Sequence, residues 1–257
     1  MQYLTIALTK GRLAGQTMEL FEKAGYFCEE LKDKKSRKLI FTNEEQKLRF
    51  FLSKGPDVPT YVEYGAADIG VVGSDILLEE QRRCHEVPDL GFGKCRMCVA
   101  GPPEAKELLR HHEMIRVASK YPNIARDYFY NRKRQTVDII KLNGSVELGP
   151  IVELSDVIVD IVETGSTLKA NRLQVLEEVL PVSARMIVNP VSMQMKTVRI
   201  REMIDRVRDC LQTGETMWAP LHRRGGIFAT DENYQTDQGL PQGGARGASG
   251  PQSFGLF

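Results

Sequence analysis

Long hydrophobic runs are missing from this chain. No stretch of about 18 consecutive apolar residues occurs, so no membrane-spanning helix is expected. Cysteine is scarce. Its five residues, Cys28, Cys84, Cys95, Cys98 and Cys210, are odd in number and scattered over 257 positions. That excludes a dense disulfide framework and suits a reducing, cytoplasmic location. The four histidines, His85, His111, His112 and His222, show no metal-ligand spacing. A surplus of either charge is absent too: the net charge is +1, so no global field argues for nucleic acid or an anionic membrane. The N-terminus, Met1 to Lys10, has no basic leader and is interrupted by polar residues, which reads as a first strand rather than a signal peptide. No Ser/His/Asp set, no paired active-site carboxylates and no Walker loop appear. Cys95-x-x-Cys98 is the one pair that hints at zinc or redox chemistry. It lies in a strand-like alternation and has no second pair, which disfavours both.

What is present is an alternation of strand-like and helix-like segments. Strands are predicted at 3–9, 38–42, 48–53, 68–72, 95–100, 115–119, 136–141, 157–162, 175–179 and 184–189. Helices are predicted between them, among them 12–24, 58–64, 74–81, 102–111, 122–132, 146–154 and 166–172. A final helix carries Ile200, Met203, Ile204, Val207 and Leu211 on one stripe. This pattern argues an α/β chain with mostly parallel sheet. The turn Gly91-Phe92-Gly93 reads as a hinge into a second unit, with the return in the stretch near Val179 to Ser183. Residues 1–92 with 180–213 then form one lobe and 93–179 the other, with a cleft between them. Residues 214–257 are rich in Gly, Gln, Ser and Arg without apolar period, and are expected to be a disordered tail.

The most informative segment is Asp160 to Leu168. An apolar strand carries Asp160 and is closed by Glu163; the small polar turn Thr164-Gly165-Ser166-Thr167 follows, and a helix begins. Backbone N–H groups at a helix start favour an anion, Gly165 permits close approach, and the three hydroxyls add donors. The carboxylates suit sugar hydroxyls or magnesium rather than the phosphate itself. The turn therefore reads as a sugar-phosphate site, although an ordinary Ser/Thr cap is equally compatible with the turn alone. Other strand ends carry Lys10-Gly11-Arg12, Lys54-Gly55-Pro56-Asp57 and Gly73-Ser74-Asp75. Ligands of open α/β sheets bind at such ends. A solvated Lys/Arg pair, or Asp75 as a mere first-turn residue, remains the plainer alternative. Asn143 to Glu147 resembles a capping box, with Glu147 as cap partner or ligand contact. Cationic and glycine turns without a nucleophile suit a group-transfer enzyme that works by positioning and charge stabilisation.

Six segments together resemble the ATP phosphoribosyltransferase family. They are Leu8–Leu13, Asp57–Glu63, Ala67–Gly73, Gly91–Arg96, Leu142–Glu147 and Asp160–Leu168, in family order. The resemblance implies a two-lobed fold like periplasmic binding proteins of type II. It implies transfer of the phosphoribosyl group of phosphoribosyl pyrophosphate to N1 of ATP, with Mg2+, as the first step of histidine biosynthesis. Glu163, Thr164, Gly165, Ser166 and Thr167 would then hold the 5′-phosphate. Asp160, Glu163 and Glu147 would lie near ribose hydroxyls or magnesium. Lys10, Gly11, Arg12, Lys54, Gly73, Asp75 and Arg96 would face ATP or pyrophosphate. No regulatory domain follows the pattern, which resembles the short form of the family. That form works as a dimer within a hetero-oligomer, with a separate regulatory subunit resembling a histidyl-tRNA synthetase. Three positions depart from the family pattern: Arg172 where glycine is expected, Gly149 where alanine is expected, and Pro190 where proline is unusual.

Two other readings compete. A two-lobed binding or sensing module would need no catalytic cations. A nucleotide-salvage phosphoribosyltransferase would carry paired acids immediately before the phosphate turn, where only Glu163 stands here.

Overall fold

A computed structural model describes residues 2–33, 36–112 and 114–213. The expected disordered tail, with Trp218 and Phe228, lies outside the described residues. The first lobe opens with β1 (Leu4–Thr9), α1 (Arg12–Lys23), β2 (Ile40–Asn43), β3 (Leu48–Ser53), α2 (Val58–Glu63), β4 (Ile69–Gly73), α3 (Ser74–Glu80) and β5 (His85–Asp89). The second holds β6 (Cys95–Gly101), α4 (Ala105–Arg110), β7 (Ile115–Ser119), α5 (Pro122–Arg126), β8 (Val137–Lys141), α6 (Leu148–Ile151), β9 (Val157–Val162), α7 (Ser166–Ala170) and β10 (Gln174–Val182). The chain then returns to the first lobe with β11 (Ala184–Val188), α8 (Pro190–Met195) and α9 (Thr197–Thr213).

The first sheet has the order β2-β3-β1-β4-β11-β5 and the second β10-β6-β9-β7-β8. The expectation of mostly parallel sheets needs correction, because both sheets are mixed. Parallel pairing joins β1 to β3 and β4, and β7 to β8 and β9. The other pairings are antiparallel. Connection length accounts for one case, the short turn that joins β2 to β3; in the others the chain returns to strands laid down earlier, as β9 and β10 do on β6 and β11 on β4 and β5. Parallel neighbours need a long crossover. The strand expected to stop at Val179 runs on to Val182 and pairs with β6 to its end, so the return falls at Ser183. Register shifts at Val175/Glu177 and Glu178/Leu180 break the two-residue period. Pro181 is tolerated because β10 lies at the sheet edge.

Packing explains the elements. In α1, Ala14, Thr17, Leu20 and Phe21 are buried, and they meet the α9 stripe of Ile200, Met203, Ile204 and Val207 on one face of the first sheet. The last helix thus closes the first lobe, as its stripe predicts. A second apolar cluster covers the other face and continues into the second lobe through Ile76, Tyr121 and Ile124. The predicted helix 122–132 is α5 followed by a wider π turn, Asp127–Lys133. At the end of the first sheet away from the cleft, buried Asp68 accepts hydrogen bonds from the Thr5 amide (2.8 Å), the Ser192 hydroxyl (2.6 Å) and Lys196 Nζ (2.8 Å to each oxygen). Lys196 also donates to the Tyr3 carbonyl at 2.8 Å. One ion pair thereby ties β1, β4 and the α8–α9 junction together.

Candidate active site

Strand β9 delivers the site. Val157 and Val159 face the large apolar cluster, while Ile158 and Val162 face Leu168 on the other side. Period-two alternation puts Asp160 on the Ile158 side. There a cavity of about 310 Å³ is lined by Glu147, Asp160, Glu163, Thr164, Gly165, Ser166 and Thr167, with Ala100, Ile158, Ile161, Val162 and Leu168. All seven residues expected around the sugar phosphate therefore share one cavity. Gly165 sits at the start of α7 with φ 76° and ψ 7°, the left-handed conformation that favours glycine. The hydroxyls of Thr164 and Ser166 lie 3.1 Å apart. Burial raises the Asp160 carboxyl above its ordinary pKa; the Ile161 amide opposes this, the Glu147 charge adds to it and Lys120 opposes it. The capping box expected at Asn143–Glu147 does not form. No side chain caps α6: the cap position falls on Glu147 itself, in a helical rather than an extended conformation. Glu147 turns to the cavity instead.

The facing lip comes from the carboxyl edge of the first sheet. Thr9 pairs with Ser53, so the Lys10 and Lys54 turns are neighbours, and the Lys10 amide donates to the Ser53 carbonyl at 2.8 Å. Lys10, Gly11, Arg12 and Lys54 are exposed there. Asp75 is buried and its carboxylate folds back over Gly73: a Cβ on Gly73 would lie 2.1 Å from Asp75 Oδ1, so a larger residue requires the Asp75 carboxylate to move. Burial raises the Asp75 carboxyl, opposed by a hydrogen bond from Tyr121. Arg96 is the exception. It stands on β6 of the second lobe and its guanidinium pairs with Glu178 on β10; like Lys10, Gly11, Arg12, Lys54, Gly73 and Asp75, it is not among the residues lining the cavity.

Among the described residues, three polar contacts bridge the lobes beside the apolar one of Ile76, Tyr121 and Ile124. The Arg12 guanidinium donates to both carboxylate oxygens of Glu163, at 3.0 and 2.9 Å. Buried Tyr121 faces Asp75, whose charge adds to the upward push that burial gives the Tyr121 hydroxyl. Buried Glu79 accepts from the amides of Asn123 (3.0 Å) and Ile124 (3.1 Å) at the start of α5. Lys120, Tyr121 and Glu79 were not singled out as site residues from the sequence. Position at a strand's carboxyl end was the available signal for Lys120 and Tyr121; for Glu79, an ordinary helix residue, none existed. Cys95 and Cys98 pack on opposite faces of β6, into different apolar clusters, and are free thiols. Burial pushes the Cys95 thiol up to about 11. They share no site.

The departures from the family pattern have physical readings. Arg172 holds φ 57°. It closes α7 as the left-handed residue of a Schellman motif: Leu173 N–H reaches the Leu168 carbonyl (2.9 Å) and Arg172 N–H that of Lys169 (3.2 Å). Glycine suits that position because it lacks the Cβ penalty. Arg172→Gly should therefore raise stability by about 1 kcal/mol, read as a higher urea midpoint with unchanged slope. A lower midpoint would refute the assignment. Gly149 is closely packed: a Cβ there would lie 2.5 Å from Ser155 Oγ, so alanine requires Ser155 to move. Pro190 occupies the first turn of α8, behind the Asn189 cap that accepts from the Ser192 amide, where its missing N–H is harmless.

The donor set suits magnesium better than a caged metal. Among the described residues no group of three or more His, Cys, Asp or Glu side chains could hold a metal alone. Magnesium commonly takes one or two carboxylates plus substrate phosphates. Asp160 beside Glu147 is a like-charged pair that a cation would relieve. Among the described residues no helix is long and apolar enough to cross a membrane.

Residues 54–218 match the family model described as HisG: ATP phosphoribosyltransferase. An ATP phosphoribosyltransferase of Lachnoclostridium phytofermentans is 69% identical over 211 residues, covering 82% of this chain and 98% of the relative. Among solved structures, the ATP phosphoribosyl transferase (HisG:HisZ) complex from Thermotoga maritima aligns with TM-score 0.68 and 34% identity, covering 82% of this chain and 98% of that one. Tv2483 bound to L-arginine aligns with TM-score 0.54 over 82% of this chain and 85% of that one, but at 10% identity it shares the fold alone. With most of its length matched at high identity, this chain belongs to the ATP phosphoribosyltransferase family.

Proposed function

We propose that the cleft transfers the 5-phosphoribosyl group of phosphoribosyl pyrophosphate to N1 of ATP, giving phosphoribosyl-ATP and pyrophosphate, the first step of histidine biosynthesis. One observation carries the site reading: a single cavity gathers Glu147, Asp160 and the turn Glu163–Thr167. In this reading the turn's backbone amides and hydroxyls hold the 5′-phosphate. Asp160 and Glu147 orient the ribose hydroxyls and provide oxygens for Mg2+, which when bound neutralises charge building on pyrophosphate. Lys10, Arg12 and Lys54 face the polyphosphates from the opposite lip. Adenine N1 attacks C1 of the ribose as the C1–oxygen bond to pyrophosphate breaks. Such a reaction asks the protein for positioning and charge stabilisation rather than a covalent nucleophile. Arg96, engaged by Glu178, has the weakest support among the proposed cations. The binding-module alternative draws support only from a fold-level likeness. The direct test is formation of phosphoribosyl-ATP from the two substrates with magnesium; no product from a correctly folded, fully assembled protein overturns the reading.

The chain is further proposed to act in the cytoplasm, as a dimer joined to a separate regulatory subunit. The solved relative is a complex of two named components, HisG and HisZ. Purified alone, the chain is expected to be weakly active and insensitive to histidine, with both activity and inhibition appearing on addition of the synthetase-like subunit. Histidine can regulate only by binding one quaternary state better than another. Full activity with histidine inhibition from this chain alone would exclude dependence on the partner.

A further inference from the structure

We infer that Arg12 and Glu163 form a releasable latch across the cleft, whose two halves exchange partners when the sugar pyrophosphate enters. The inference rests on the site reading above, which assigns Arg12 to polyphosphate and Glu163 to the sugar-phosphate end. The two residues stand 151 positions apart, one at the β1–α1 junction and the other at the β9–α7 turn. Their fork is bidentate, the strongest geometry available to an arginine and a carboxylate. Glu163 lines the cavity, so the pair lies at its rim.

The surroundings decide what kind of contact this is. Both side chains are largely exposed, 67% and 50%, so solvent and salt screen the pair. Such a pair biases an open–closed equilibrium by a factor of roughly five at most. That is weak enough for a phosphorylated ligand to break. The other bridges differ in kind. Glu79 is buried, and its carboxylate receives two backbone amides of α5 while the Asn123 amide side chain donates to its carbonyl at 2.9 Å. Asp75 and Tyr121 are buried as well. The cleft therefore has two buried joints and one exposed tie. Motion between the lobes is cheapest at the exposed tie, beside the cavity. While paired, each charge compensates the other, and neither is available to a ligand. A sugar pyrophosphate brings an anion for Arg12 and hydroxyls for Glu163, so both are re-partnered in one event.

The test is a distance measurement on the full chain. Spin labels introduced as non-natural amino acids at exposed Glu19 (α1) and Lys169 (α7) report lobe separation without using the five cysteines. Without added ligand, Arg12→Gln, Glu163→Gln and the double variant should all shift the distribution to longer separations. All three should shift equally, since either substitution removes the same tie. Raising ionic strength should move the unsubstituted chain the same way. Single variants indistinguishable from it, or a double variant showing the sum of two shifts, overturn the latch. Calorimetric titration with phosphoribosyl pyrophosphate separates the two ideas. Binding lost in the variants with distances unmoved refutes the latch and keeps the site; shifted distances with no binding by the unsubstituted chain refute the site and keep the latch.

Discussion

Replacing Gly165 by valine should weaken phosphoribosyl pyrophosphate binding roughly 10- to 100-fold, the loss of one charge-assisted hydrogen bond. The residue's φ of 76° sets the path of the turn that lines the cavity, whose amides are proposed to hold the phosphate. Space is not the difficulty at the first carbon: a Cβ would meet only Val162 Cγ1, at an ordinary 3.8 Å. The difficulty is conformation, because a β-branched residue is a genuine outlier in the left-handed region. Relaxing toward an extended backbone would turn the amides away. The turn lies at the surface beside an intact sheet, so the stability cost should stay near 1–2 kcal/mol and the fold should survive. Asparagine tolerates this conformation better than valine, so Gly165→Asn should retain more affinity. Calorimetric titration of both variants is the check. Unchanged affinity in folded Gly165→Val removes the turn from the site.

The largest stability effect is expected at the other end of the first lobe. Lys196→Met leaves the Asp68 carboxylate, 4% exposed, without its cation. Removing one partner of a buried pair typically costs about 3–5 kcal/mol, because the remaining charge is stranded. The Lys196 side chain is 21% exposed, so water softens the loss. About 3 kcal/mol corresponds to a fall in Tm of roughly 6–12 °C for a domain of this size. The double variant Asp68→Asn with Lys196→Met should lose less than the sum of the single losses, since no bare charge is left. Scanning calorimetry of the three chains decides. A single-variant Tm within two degrees of the parent, on the order of the error in such scaling, would show that solvent already compensates Asp68.

The proposed substrate site and the Asp68–Lys196 tie lie in different parts of the chain, and they were not equally legible. The βα alternation, the apolar stripe of the last helix and the Asp160–Leu168 segment could be read residue by residue, because each is a local pattern of hydrophobicity, glycine and hydroxyls. The glycine that the family pattern expects at position 172, where Arg172 stands, corresponds to the left-handed residue that closes α7. The local logic stopped at long-range pairing. The antiparallel strands depend on which neighbours the chain meets, and the bulges of β10 erased the period that would have marked its end.

By itself, the sequence determined the α/β class, the two-lobed arrangement and the contiguous run Asp160–Thr167 that lines the cavity. These follow from short-range periodicity and from a turn whose chemistry is contiguous; Glu147 was expected there only from the family resemblance. Tertiary structure alone decided that Arg96 is engaged by Glu178, that Lys196 neutralises Asp68 across 128 positions, and that Arg12 meets Glu163 across the cleft. A charged side chain can pair with any opposite charge the fold brings near it, and no local pattern says which one that will be.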